Sequence, residues 1–107
     1  MSDENYGEDV AKYTESVDEA AVAGIAKHLG IALRSRDSSL VACSDKSETE
    51  RVRESWLKKK LALTDDDATL DAAVEGVCAK MSGDPTKHRV TFYYLLAEQY
   101  GKLTDLH

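Results

Sequence analysis

Three consecutive carboxylates, Asp65-Asp66-Asp67, three dispersed histidines, His28, His88 and His107, and two cysteines, Cys43 and Cys78, are the side chains of this 107-residue chain best suited to metal or acid–base chemistry. Clustered oxygen ligands suit Mg²⁺ or Ca²⁺, but an EF-hand loop beginning at Asp65 needs glycine at position 70 and glutamate at position 76. The chain has Leu70 and Gly76 there. Neighbouring residues at a helix start point in different directions, so the expected role of the three aspartates is to cap a helix rather than hold an ion. Structural zinc wants pairs of cysteine or histidine about two to four residues apart, and neither cysteine belongs to such a pair.

Each histidine stands alone in its segment. A nucleophile–base pair of His88 with Cys78 or Cys43 is compatible with the sequence, because such groups meet in space and not in order. No glycine-rich phosphate loop, Gly-x-Ser-x-Gly elbow, metalloprotease pattern or deaminase pattern accompanies them. The sequence therefore calls for no catalytic residue, no cofactor and no metal. It points away from an enzyme without specifying another activity.

The basic run Arg51-Val-Arg-Glu-Ser-Trp-Leu-Lys-Lys-Lys60, with Arg34 and Arg36 in support, is the candidate for nucleic-acid contact. On a helix, Arg51 and Lys58 share one direction while Arg53 and Lys60 share another roughly 160 to 200° away, so they form no single stripe. The chain as a whole is acidic, with 20 Asp and Glu against 14 Lys and Arg and a net charge of −6. A nucleic-acid domain is usually basic, and nucleic acid is disfavoured as a partner.

The charge is uneven. Residues 1–20 carry −6 and residues 64–84 carry −5, leaving +5 on the rest, concentrated between Arg34 and Lys60. The plain reading is a set of solvated helix faces; the functional one is a dipolar surface able to steer a partner. The chain shows no signal peptide, no apolar run near membrane-spanning length and no lipidation signal, so a soluble cytoplasmic protein without membrane contact is expected. In that compartment thiols stay reduced, and Cys43 and Cys78 are expected to be small packing residues, with a disulfide between them left open.

The elements that must position these groups are helical. One proline and the lack of alternating apolar–polar runs argue for an all-α fold. Ser16-Val-Asp-Glu19 and Ser47-Glu-Thr-Glu50 have capping-box spacing, and Thr64-Asp-Asp-Asp67 places carboxylates at a helix start. Val22, Ile25, Ala26 and Leu29 follow the first box on one face, and Gly30 ends that helix. Leu70, Ala73, Val74, Val77 and Met81 form the cleanest stripe, flanked by Cys78. Asp84-Pro85 then opens the last helix with proline in the first turn.

That last helix, Arg89-Val-Thr-Phe-Tyr-Tyr-Leu-Leu-Ala-Glu-Gln-Tyr100, is apolar in every direction except one sector held by Lys87, His88, Thr91, Leu95, Glu98 and Lys102. It should be the post of the bundle. The helix from residue 48 to 61 does not resolve into one face: Val52, Trp56 and Leu63 make one stripe, Leu57 and Leu61 another. Either it is wedged between two neighbours with its basic stems snorkelling outward, or the Trp56 stripe is exposed to a partner.

The expected architecture is a single compact bundle over residues 1–107. It has four main helices, 17–29, 48–61, 66–82 and 86–100, and short helices at 8–13 and 38–43, with residues 1–8 disordered. The blocks Ser39-Leu-Val-Ala-Cys-Ser-Asp45 and Val90-Thr-Phe-Tyr-Tyr-Leu-Leu-Ala-Glu-Gln-Tyr-Gly-Lys-Leu103 resemble a small bacterial family catalogued as a domain of unknown function. The resemblance spans nearly the whole chain. It implies a short, stand-alone, cytosolic bacterial protein and carries no activity or site residue.

The leading functional expectation is a non-enzymatic helical interaction module. It would bind a protein partner or a second copy through Trp56, Val52, Arg53 and Lys60, with Arg34 and Arg36 alongside. A buried Trp56 without an apolar patch counts against that surface. The alternative is a small-ligand binder or enzyme with a pocket beside His88 and the C-terminal tyrosines.

Overall fold

A computed structural model describes residues 6–34, 39–84 and 87–106. Helix α1 is Tyr6–Val10, α2 is Glu19–Leu29, and α3 is Lys46–Arg51. The rod begun by α3 continues without interruption as a π-helical stretch, Val52–Lys60. Helix α4 is Asp67–Lys80 and α5 is Arg89–Gln99, while 3₁₀ turns at Gly30–Arg34 and Leu103–Leu106 follow α2 and α5. The fold is all-α: among the described residues no strand occurs, only an isolated antiparallel bridge between Leu40 and His88.

Helix α5 is the post that its composition predicts. Nine consecutive residues, Arg89 to Ala97, are buried, and α1, α2 and α4 pack around them. The middle of the expected polar sector is covered too: Thr91 and Leu95 are buried, and the Thr91 hydroxyl donates to the Asp9 carboxylate of α1. Helix α1 thus starts earlier than expected: residues 6–8 are helical, not disordered, and 11–13 form a turn. Val10 still docks in the core.

Three of the four long helical segments among the described residues start on an aspartate two residues from the expected Ser or Thr cap. Asp18 accepts from the Ala21 N–H at 3.1 Å, Asp45 from Ser47 at 3.0 Å and Asp66 from Thr69 at 2.9 Å. Serine and aspartate cap almost equally well, but only the carboxylate also meets the positive end of the helix dipole.

Helix α5 begins at Arg89, not at residue 86. Lys87 and His88 are extended and pair with the segment expected to be a helix at 38–43, of which Ser38, like Pro85 and Thr86, lies outside the described residues. The Arg89 N–H donates to the Ser39 carbonyl and the Val41 N–H to the Lys87 carbonyl, each at 2.8 Å. A backbone carbonyl therefore satisfies a donor that a capping side chain would otherwise take, and His88 makes no side-chain cap bond.

The π winding resolves the conflict in the third helix. Hydrogen bonding i→i+5 gives each turn nearly one residue more than an α-helix, so i, i+4, i+5 and i+9 fall on one face. Val52, Trp56, Leu57 and Leu61 have that spacing and are all buried. Two stripes at α-helical pitch become one at π pitch. The stretch closes where Ala62 turns left-handed at φ 56°, with Leu63 donating back to the Leu57 carbonyl.

Gly24 marks where α2 meets the C-terminal turn. A Cβ there would stand 1.8 Å from the Leu106 carbonyl oxygen. Gly24→Ala is expected to lower stability by about 1–3 kcal/mol through overpacking, although alanine is intrinsically the better helix former by roughly 1 kcal/mol. Urea denaturation reads the sign; a variant as stable as the parent would show that the turn does not sit there.

Candidate functional site

The residues expected to form a partner surface do not converge. Val52 and Trp56 are fully buried. Arg53 turns toward α4, 2.9 and 3.0 Å from the two Asp71 oxygens, 2.8 Å from Glu54 and 3.9 Å from Asp67. Arg34 and Lys60 are exposed on separate elements, and Arg36 lies outside the described residues. The π winding that merges the two apolar stripes is what takes Trp56 inward.

Trp56 stacks on Tyr93 with ring centroids 4.5 Å apart and donates its indole N–H to the Tyr93 carbonyl at 3.1 Å. The His28 ring of α2 lies 5.5 Å from the indole, tilted by 45°. Burial, and then the charge of Lys60, push the His28 imidazole below its ordinary pKa of 6.5. A base depressed in the fold contributes stability that is fully present above the unfolded value and lost as pH falls through the folded midpoint. Because imidazolium quenches indole more strongly than imidazole, Trp56 emission should increase as pH rises, through a single step with its midpoint below 6.5, absent in His28→Gln. A pH-independent emission would refute the contact.

The basic segment meets one of the acidic ones at two of its side chains. Arg53 and Lys58 of the π stretch face Glu54, Asp67 and Asp71, so part of the charge asymmetry seen along the chain is neutralised within the fold. Hydrogen bonding to Lys58 holds the Asp67 carboxyl below the usual range, and hydrogen bonds from the Thr69 hydroxyl and then its backbone N–H do the same for Asp66. The aspartate run is thus divided between a cap and an ion pair.

The groups around His88 are engaged within the fold. The Tyr93 hydroxyl accepts from Arg89 at 3.3 Å, and the Tyr94 hydroxyl accepts from the Asp18 N–H at 2.8 Å. His88 packs edge-on to Tyr6 at 6.0 Å, and its Nδ1 is buried with no hydrogen-bond partner among the described residues. A His–Cys dyad is ruled out in this state because Cys43 and Cys78 are joined in a disulfide, with Cα atoms 5.9 Å apart. This overturns the expectation of two free packing thiols. The signal was only that Cys78 flanks the α4 stripe and Cys43 ends the segment paired with His88.

That disulfide lines a cleft of about 390 Å³ between the start of α3 and the outer side of α4. Val74 and the two sulfurs provide its apolar part, and Lys46, Glu50, Asp71 and Glu75 its charges. Three carboxylates against one ammonium make it acidic, although Asp71 is also engaged by Arg53. Sequence reasoning missed this site because its residues come from two segments joined only by the tertiary fold. The cleft can bind and orient a cationic or hydrogen-bonding group, and its disulfide can undergo thiol exchange.

The architecture is thus an all-α bundle built on its C-terminal helix, with a charged cleft beside a disulfide. The chain belongs to the family described as "Protein of unknown function (DUF2853)", whose model matches residues 5–104. No curated protein matches it. Among the described residues, no helix is long and apolar enough to cross a membrane.

Proposed function

We propose that this protein is a non-enzymatic interaction module that takes a basic segment of a partner protein in the cleft beside the disulfide. The observation that carries this reading is the placement of Glu50, Asp71 and Glu75 around an apolar floor of Val74 and the disulfide. Carboxylates attract a lysine or arginine head, while the floor receives its aliphatic stem. The interaction function expected around Trp56 is thereby moved to a surface that is open.

The test is fluorescence anisotropy with a labelled lysine- and arginine-rich peptide, compared with a neutral peptide of equal length. Binding should weaken about tenfold or more in the Glu50→Gln, Glu75→Gln double variant and fall with added salt, as expected for exposed charge pairs. Equal binding of the two peptides, or no effect of the double variant, would sink the assignment. Self-association through the same cleft would appear instead as a concentration-dependent mass in light scattering, abolished by the same substitutions.

A further inference from the structure

We propose that Cys43–Cys78 is a reversible exchange site for low-molecular-weight thiols bearing positive charge, reached through the cleft. Both cysteines are only partly buried and both line that opening, so an attacking thiolate has access without prior unfolding. Access is what separates an exchangeable disulfide from an inert one.

The rest of the fold holds the two walls independently of the bond. The chain just before Cys43 is tied to α5 by the Leu40–His88 bridge and by the Arg89 guanidinium, which donates to the Leu40 carbonyl at 3.0 Å. Just after it, Glu48 of α3 is paired with the same Arg89. Cys78 is carried by α4, whose stripe of Leu70, Ala73, Val74 and Val77 is buried. Opening the disulfide therefore leaves both walls of the cleft and the bundle in place.

Charge selects both the thiol and the sulfur attacked. Glu50, Asp71 and Glu75 outweigh Lys46 in the cleft, which favours a cationic thiol and opposes an anionic one. Cys78 lies in the last turn of the 14-residue α4, where the carbonyl end of the helix disfavours a thiolate. Cys43 shares its wall with Lys46 and is the better leaving group. The incoming thiolate RS⁻ bonds to the Cys78 sulfur, the S–S bond breaks, and its electron pair leaves on Cys43. A second thiolate then attacks the R-bearing sulfur, releasing RSSR and the Cys78 thiolate. Two RSH are oxidised to RSSR, one protein disulfide is reduced, and the two protons end on Cys43 and Cys78.

The test measures reduction of the folded, full-length protein by cysteamine and by mercaptoacetate, each rate divided by that of the same thiol with the neutral bis(2-hydroxyethyl) disulfide. At low ionic strength the normalised rate should favour cysteamine by about tenfold, and the preference should collapse in roughly 1 M salt and in Glu50→Gln, Glu75→Gln. Acid-quenched mass spectrometry should find the first adduct on Cys78, with helical circular dichroism retained after full reduction. A normalised ratio near one, an adduct on Cys43, or reduction that proceeds only with loss of helical signal would overturn the proposal. No peptide is present in this measurement, so its failure and the failure of the partner-binding reading are separate results.

Discussion

Arg89→Met is expected to destabilise the protein by about 3–5 kcal/mol, the usual consequence of removing one partner from a buried ion pair. The Arg89 side chain is nearly inaccessible, and Glu48 is little more exposed. The guanidinium also serves the Leu40 carbonyl and the Tyr93 hydroxyl and lies over the Tyr93 ring at 5.8 Å. Its loss leaves a carboxylate and a carbonyl in a poorly solvated place. The revealing comparison is with Arg89→Met, Glu48→Met: when both charges are gone, no buried ion is left uncompensated, and much of the stability should return. Urea denaturation of the two single variants and the double variant measures the coupling. Strict additivity would mean that Arg89 and Glu48 act separately and that this junction of α3, α5 and residues 39–41 is not held by their pairing.

Trp56→Ala is the second large effect, expected at about 3–5 kcal/mol for truncation of a buried aromatic residue. Trp56→Phe retains a ring against Tyr93 but leaves the indole N–H bond unmade, at about 1 kcal/mol. The pair of variants distinguishes packing from hydrogen bonding. It also tests where Trp56 belongs, because truncation at an exposed surface position ordinarily changes stability by less than about 0.5 kcal/mol. A Trp56→Ala protein as stable as its parent would return this residue to the surface and revive it as a docking point.

The helices that the sequence predicts well are those whose stabilising contacts are local or patterned at ordinary α-helical pitch. Helix α4 keeps Leu70, Ala73, Val74 and Val77 on its buried side, and α2 ends at Gly30 with φ 33°, as a glycine cap allows. The caps were legible to within two residues because Ser16, Asp18, Ser47, Asp45 and Asp66 all offer the same acceptor chemistry. Which of them serves depends on where each helix begins to pack against its neighbours, and that is not encoded in any four-residue window.

The candidate site was much less legible. Its carboxylates come from α3 and α4, and its sulfurs lie 35 positions apart in the chain. Trp56 stood between two readings, core residue and partner surface, for a specific reason: at α-helical pitch its helix has no single apolar face, whereas Val52, Trp56, Leu57 and Leu61 share a face when the winding is π.

By itself the sequence determined that the protein is helical and that its last helix, buried over residues 89–97, is the central one. A segment apolar in almost every direction can satisfy the hydrophobic effect only by being surrounded. The tertiary structure alone decided the rest. It set the start of α5 through the pairing of residues 39–41 with 87–89, the π winding of 52–60 through the need to bury four side chains on one face, and the cleft through the packing of α3 beside α4. Each of these depends on groups distant in the chain meeting in space, where a backbone donor, an apolar surface or a sulfur finds the partner that its own segment lacks.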